Sequence, residues 1–176
     1  RGVNPKIARG CDLDPLSWVI GNVTLEEKVL LSQRSVLRGD GENIKVGKGV
    51  VFSPRSTVHI ATELLGALIG DNSVIGRYAL IHACTLGASV LVGDQAVIMD
   101  GSVIGNNCIV YANTLVPPGK IFPNNVIISG APAKVVGKTD SEKILKYKEE
   151  LLNENLFGNS ILRANLIGDD PLAELS

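Results

Sequence analysis

The sequence predicts an all-β repeat fold, a coil of many short strands with one C-terminal α-helix packed along it. Three observations carry this. Apolar residues recur at every sixth position, as Leu80, Leu86, Val92, Ile98, Ile104, Val110 and Val116, with Leu91, Val97, Val103, Ile109 and Leu115 just ahead of them. Neither a 3.6-residue helix period nor a 2-residue strand period produces that spacing. Glycine directly follows such anchors at Gly47, Gly70, Gly76, Gly87, Gly93 and Gly105, as expected where a short strand turns a corner that tolerates no side chain. Only 4% of residues are aromatic while Gly numbers 19, which suits many thin-walled strands rather than a core of large rings.

In chain order, residues 1–18 read as an N-terminal segment ahead of the repeat. The repeat occupies 19–136: Leu25, Leu31 and Leu37, then Val46, Phe52 and Val58, then Ile69, Ile75 and Ile81, one residue out of phase with the later series. Such a sequence resembles the left-handed parallel β-helix, in which three hexapeptides make one triangular coil, the anchors stack inside, and coils lie about 4.8 Å apart. The left hand comes from that resemblance, because parallel crossovers are ordinarily right-handed. Residues 139–142 read TDSE, a capping box, and open a helix over 139–157 with Ile144, Leu145, Tyr147, Leu151 and Leu152 on one stripe and Gly158 as its stop. Residues 158–176 form an apolar tail bearing Leu162, Leu166, Ile167, Leu172 and Leu175. That is too apolar for an ordinary solvated end, and we expect it to dock on another protein.

A chain of 176 residues fits one domain. Its net charge of -1 offers no broad basic field for nucleic acid or an anionic membrane surface. Asp, Arg, Asn and Gly interrupt every hydrophobic stretch before the roughly 20 residues of a bilayer span, so no transmembrane segment is expected. Cys11, Cys84 and Cys108 are odd in number and share no repeat position, which argues against a disulfide framework and for a reducing compartment or an organelle matrix. Arg1 stands where a Met would start a chain, and this reads as a missing N-terminal piece.

The only two histidines, His59 and His82, each directly follow an apolar anchor, Val58 and Ile81. Independent placement would give a shared position roughly one time in six. Their separation of 23 residues is one coil of 18 plus five, and the irregular stretch 61–68 supplies the excess as a loop. The imidazoles should therefore stack on adjacent coils, where two rings can converge on one metal ion.

Residues 76–87, GRYALIHACTLG, are similar to the γ-class carbonic anhydrase motif in which Gly-His, four residues and a second His carry two zinc ligands. Gly76 and His82 match, while Arg77 replaces a ligand. His59, in TVHI, matches the remaining ligand. VLRGD, over 36–40, matches a segment whose Arg and Asp, here Arg38 and Asp40, pair across the trimer interface. APAKVV, over 131–136, is shared with hexapeptide acyltransferases and does not discriminate.

The resemblance implies three His ligands and a water around zinc, the metal lowering the water's pKa to about 7. Arg77 cannot replace a ligand, because a guanidinium has no free lone pair and its charge repels a divalent cation. The family's Gln and Asp that orient the hydroxide fall on Ser53 and Pro54. The resemblance also implies sites shared between subunits, two ligands from one and the middle one from its neighbour. Zinc is thus possible but not expected in a homotrimer of this chain; His59 and His82 are residual ligands that a neighbouring paralogue could complete. The expected function is a structural or assembly subunit, in a homo- or heterotrimer with carbonic-anhydrase-like paralogues, on the matrix side of mitochondrial respiratory complex I, or in the cytoplasm if the source is prokaryotic. An active zinc γ-carbonic anhydrase with a shared site and a hexapeptide acyltransferase are the alternatives.

Overall fold

A computed structural model describes residues 3–61 and 64–155. Its strands stack in parallel on three faces, forming a left-handed β-helix. On the first face, Trp18 lies opposite Val36 and Val97 opposite Leu115, the regular 18-residue coil. The strand Thr57–His59 pairs there with Leu80–His82. On the second, Ala67–Ile69, Thr85–Leu86, Val103–Ile104 and Ile121–Phe122 follow one another. On the third, Leu30–Leu31, Val51–Phe52, Val74–Ile75, Leu91–Val92 and Ile109–Val110 do the same.

Stacking begins earlier than the repeat suggested. Lys6–Ile7 and Asp12–Leu13 lie within the segment assigned to 1–18, yet both pair parallel with the following coil. Leu13 and Ile7 stand six and twelve residues ahead of Val19 and so continue the anchor series, with polar Lys6 and Asp12 just ahead of them.

The six-residue anchors form the core. Leu37, Val58, Ile81, Ile98 and Val116 line the inside of the first face, with Ile69, Leu86 and Ile104 from the second and Phe52, Ile75, Val92 and Val110 from the third, all essentially inaccessible. The phase shift has a local cause. The later series puts Leu80 on the inside, but Ile81 points inward and Leu80 is only half-buried. Leu80 lies opposite Val97, 17 residues on, and the missing residue is absorbed just after His82, where Ala83 takes φ 45°. The corner glycines are needed for close approach: a Cβ on Gly76 would lie 2.7 Å from the backbone N of Asp94.

The repeat ends in a strand of different direction, Lys134–Lys138, antiparallel to Val126–Ser129. Helix α1 then spans Ser141–Asn155. Its N-cap is Asp140 rather than Thr139: the Lys143 N–H donates to Asp140 Oδ1 at 2.8 Å, while Thr139 Oγ1 donates to the Asn107 carbonyl at 2.6 Å. The Thr hydroxyl is drawn to the coil wall, so the helix begins one residue later than a TDSE box implies. Leu151 and Leu152 cover the outward column Leu30, Val51, Val74, Leu91 and Ile109, with Ile144 and Tyr147 beside them. Leu145, assigned to this stripe, is instead 61% exposed. The expected tail over 158–176 lies outside the described residues. Among the described residues no helix is long and apolar enough to cross a membrane.

Candidate functional site

The register that pairs Leu80 with Thr57 also pairs His82 with His59. Stacked at equivalent corners, their rings lie with centroids 5.2 Å apart, and His59 Nδ1 is 3.2 Å from His82 Nε2. Each ring's other nitrogen meets a carboxylate. His82 Nδ1 is 2.5 Å from Asp100 Oδ1, and His59 Nε2 is 3.4 Å from Asp40 Oδ1. The result is a row, Asp40, His59, His82, Asp100, crossing successive coils, with side chains between 23% and 35% exposed.

Arg38 sits one register step before His59 and bonds Asp40, Nη2 to Oδ2 at 2.6 Å. Burial pushes the Asp40 carboxyl up, but its own backbone N–H, the Arg38 bond and charge, and the neighbouring His59 outweigh this and hold it below the ordinary value. Asp100 sits in close hydrogen-bond contact with His82, whereas Asp40 and His59 make only a longer ion-pair contact. His59 Nδ1 and His82 Nε2 face one another at hydrogen-bond distance, the donor being set by the tautomers of the two rings. Two nitrogens about 2.0–2.1 Å from a tetrahedral zinc lie about 3.3 Å apart, so the 3.2 Å gap matches one edge of such a centre. Carboxylates behind ligand imidazoles are the usual outer partners of a metal site.

Arg77 is elsewhere in the chain's own coil, on the corner before the strand Leu80–His82. It is clamped to Asp94: Nε donates to Oδ2 at 2.7 Å, Nη2 lies 2.5 Å from Oδ2, and its backbone N–H donates to Oδ1 at 2.7 Å. Ser53 and Pro54 share that corner one coil earlier. Ser53 is fully buried, and its hydroxyl has no hydrogen-bond partner among the described residues. Within one chain, His59, His82, Arg38 and Asp40 therefore come together, while Arg77, Ser53 and Pro54 gather at the other end of the face.

Sequence reasoning passed over Asp100 and Asp94. Asp100 lies two residues after anchor Ile98, whereas each histidine directly follows its anchor, and the 17-residue coil here carries the histidine position on to Met99, so the rule that linked the histidines does not point to Asp100. Asp94 follows corner Gly93, as Arg77 follows Gly76, one coil on.

The family model described as dynactin subunit 5 matches residues 7–147. The chain is 32% identical over 155 residues to the mitochondrial γ-carbonic anhydrase 2 of Arabidopsis thaliana, covering 85% of this chain and 56% of that protein. It thus spans little more than half of that relative's length. It is 32% identical to the carnitine operon protein CaiE of a Proteus species, covering 97% of this chain and 86% of that one. The solved structure of a hexapeptide transferase family protein from Anaplasma phagocytophilum superposes with a TM-score of 0.78 at 28% identity, over 88% of this chain and 91% of the other. With a family model across most of its length, the chain belongs to the dynactin subunit 5 family of γ-carbonic-anhydrase-like, hexapeptide-repeat β-helix proteins.

Proposed function

We propose that this chain is a γ-carbonic-anhydrase-like subunit with a degenerate zinc site, acting as a structural piece of a trimer within a larger assembly. The observation that carries the reading is Arg77. It stands where the family motif has an imidazole, and its guanidinium is held by Asp94. His59 and His82 fit two positions of a zinc tetrahedron, but the third needs an imidazole from a neighbouring copy, and an identical neighbour offers Arg77. The full ligand set does not fit a homotrimer, so no hydration step is assigned to this chain alone.

A trimer is supported by the first face, where an outward column of Val36, Thr57, Leu80 and Val97 runs half-covered between exposed Trp18 and Leu115 beside the histidines. The equivalent column of the third face is sealed by α1; this one has no such cover among the described residues, and a second copy or a paralogue would supply it. Placement in mitochondria, as a subunit of respiratory complex I on its matrix side, is part of the proposal and draws on the mitochondrial relative. The matched family is itself named for a subunit, which favours the assembly role in general.

The test has two parts. Elemental analysis of the washed homo-oligomer should find no stoichiometric zinc, and carbon dioxide hydration should stay at background. One zinc per subunit would overturn the degenerate site. Purification from native membranes should then recover the chain with paralogues and complex I subunits; recovery with other partners would sink the complex I placement and leave the site reading intact.

A further inference from the structure

The corner that carries Arg77 has a second feature, independent of the histidine row. Equivalent corner positions on consecutive coils hold Leu16, Arg34, Arg55 and Tyr78, locked in register by Arg55 N–H donating to the Gln33 carbonyl at 3.0 Å and Tyr78 N–H to the Pro54 carbonyl at 3.3 Å. With Arg77 they line an open groove of about 650 Å³, within the range of small-ligand sites. Its one lining carboxylate, Asp14, is engaged at Oδ1 by the Leu16 N–H at 2.8 Å.

Charge in the groove is unbalanced. Arg77 is neutralised by Asp94. Among the described residues, however, the Arg34 guanidinium has no carboxylate partner, and that of Arg55 bonds the Tyr78 hydroxyl and lies 5.3 Å from its ring centroid. Arg34, Arg55 and Tyr78 also adopt left-handed backbone at φ 58°, 62° and 57°, where Asn or Gly is the cheaper choice. The fold thus spaces two cations by one coil, about 4.8 Å, beside the exposed apolar surfaces of Leu16 and Tyr78. Guanidinium groups bind planar oxyanions through paired N–H donors.

We infer that this groove binds a small polyanion, a ligand with two or more phosphate or carboxylate groups close together, gripped by Arg34 and Arg55. Pyrophosphate and citrate serve as separate probes for the two sources of oxyanion. Each is titrated calorimetrically into the full, metal-stripped protein at 150 mM salt, a generic condition that screens loose surface attraction. At least one probe should bind saturably, and Arg34→Gln with Arg55→Gln should weaken it tenfold or more. The doubly Lys variant, which keeps the charge but loses the fork, should fall between. Lys45→Gln, on another face, should leave affinity unchanged and serves as the charge control. Preference for pyrophosphate identifies a phosphorylated ligand, and preference for citrate a polycarboxylate. No saturable binding of either probe, or equal affinity in a folded double Gln variant, overturns the assignment.

Discussion

Replacing Arg77 by His separates what the coil needs from what the metal site lacks. The change removes two side-chain contacts to Asp94, at 2.7 and 2.5 Å, from a pair whose side chains are 38% and 18% exposed. The Arg77 backbone N–H to Asp94 Oδ1 bond at 2.7 Å survives, so the carboxylate is not orphaned. A charge-assisted bond is worth about 1.5–3 kcal/mol; reduced for partial solvent exposure, the loss should be about 1–2 kcal/mol. For a chain of this size that lowers Tm by roughly 2–8 °C in metal-free buffer. In the proposed trimer the variant would also put an imidazole beside a neighbouring copy's histidine pair. Zinc at a hundredfold excess over Kd should then return about 2.7 kcal/mol, more than the loss. Thermal melting of wild type and Arg77→His, each with and without zinc, reads both terms, and elemental analysis gives the stoichiometry. Wild type should ignore zinc, while the variant should start lower and cross above it. On the proposed reading, activity should stay low even when zinc is bound, since Ser53 and Pro54 stand where the family resemblance implies an orienting Gln and Asp. A wild type stabilised as strongly by zinc, or a variant indifferent to it, would refute the reasoning.

Three further outcomes follow from the coil itself. Gly76→Ala forces a Cβ to within 2.7 Å of the Asp94 backbone N, where no side chain can yield, and denaturant titration should show a loss of about 1–3 kcal/mol; a neutral result would mean the coils are less tightly stacked. Leu152→Ala removes a fully buried contact between α1 and the third face, so helix docking should weaken by about 2–5 kcal/mol, seen as lost amide protection in α1 with the strands still protected. At Asp140, the Lys143 backbone N–H and then its ammonium hold the carboxyl below its ordinary value. That contribution to helix stability is present above the unfolded carboxyl pKa and disappears as pH falls through the lower folded one. Exchange at the start of α1 should therefore accelerate below about pH 4, and acceleration already complete at pH 6 would remove Asp140 as the cause.

The six-residue period was legible in the chain because each anchor, from Leu25 to Val116, meets its counterpart one coil away, so burial is written as local spacing. The same logic exposed His59 and His82, whose 23-residue separation needed only one inserted loop to bring them together. Charged and polar partners left a weaker trace. Asp94 and Asp100 look like ordinary corner residues in the sequence, and only the stacked coils bring one against Arg77 and the other against His82.

Tertiary structure also decided between local options of similar merit. Leu80 and Ile81 were both apolar and both in phase with some part of the repeat, and the 17-residue coil chose Ile81. Thr139 and Asp140 were both competent caps, and the Asn107 carbonyl claimed the Thr hydroxyl. The arginine groove had no motif at all, because Arg34, Arg55 and Arg77 stand more than a hexapeptide apart and become neighbours only when the coils stack. A short-range period therefore determined the coil from sequence alone, whereas its charged surfaces depended on contacts one full turn away, which are set by coil lengths that insertions alter.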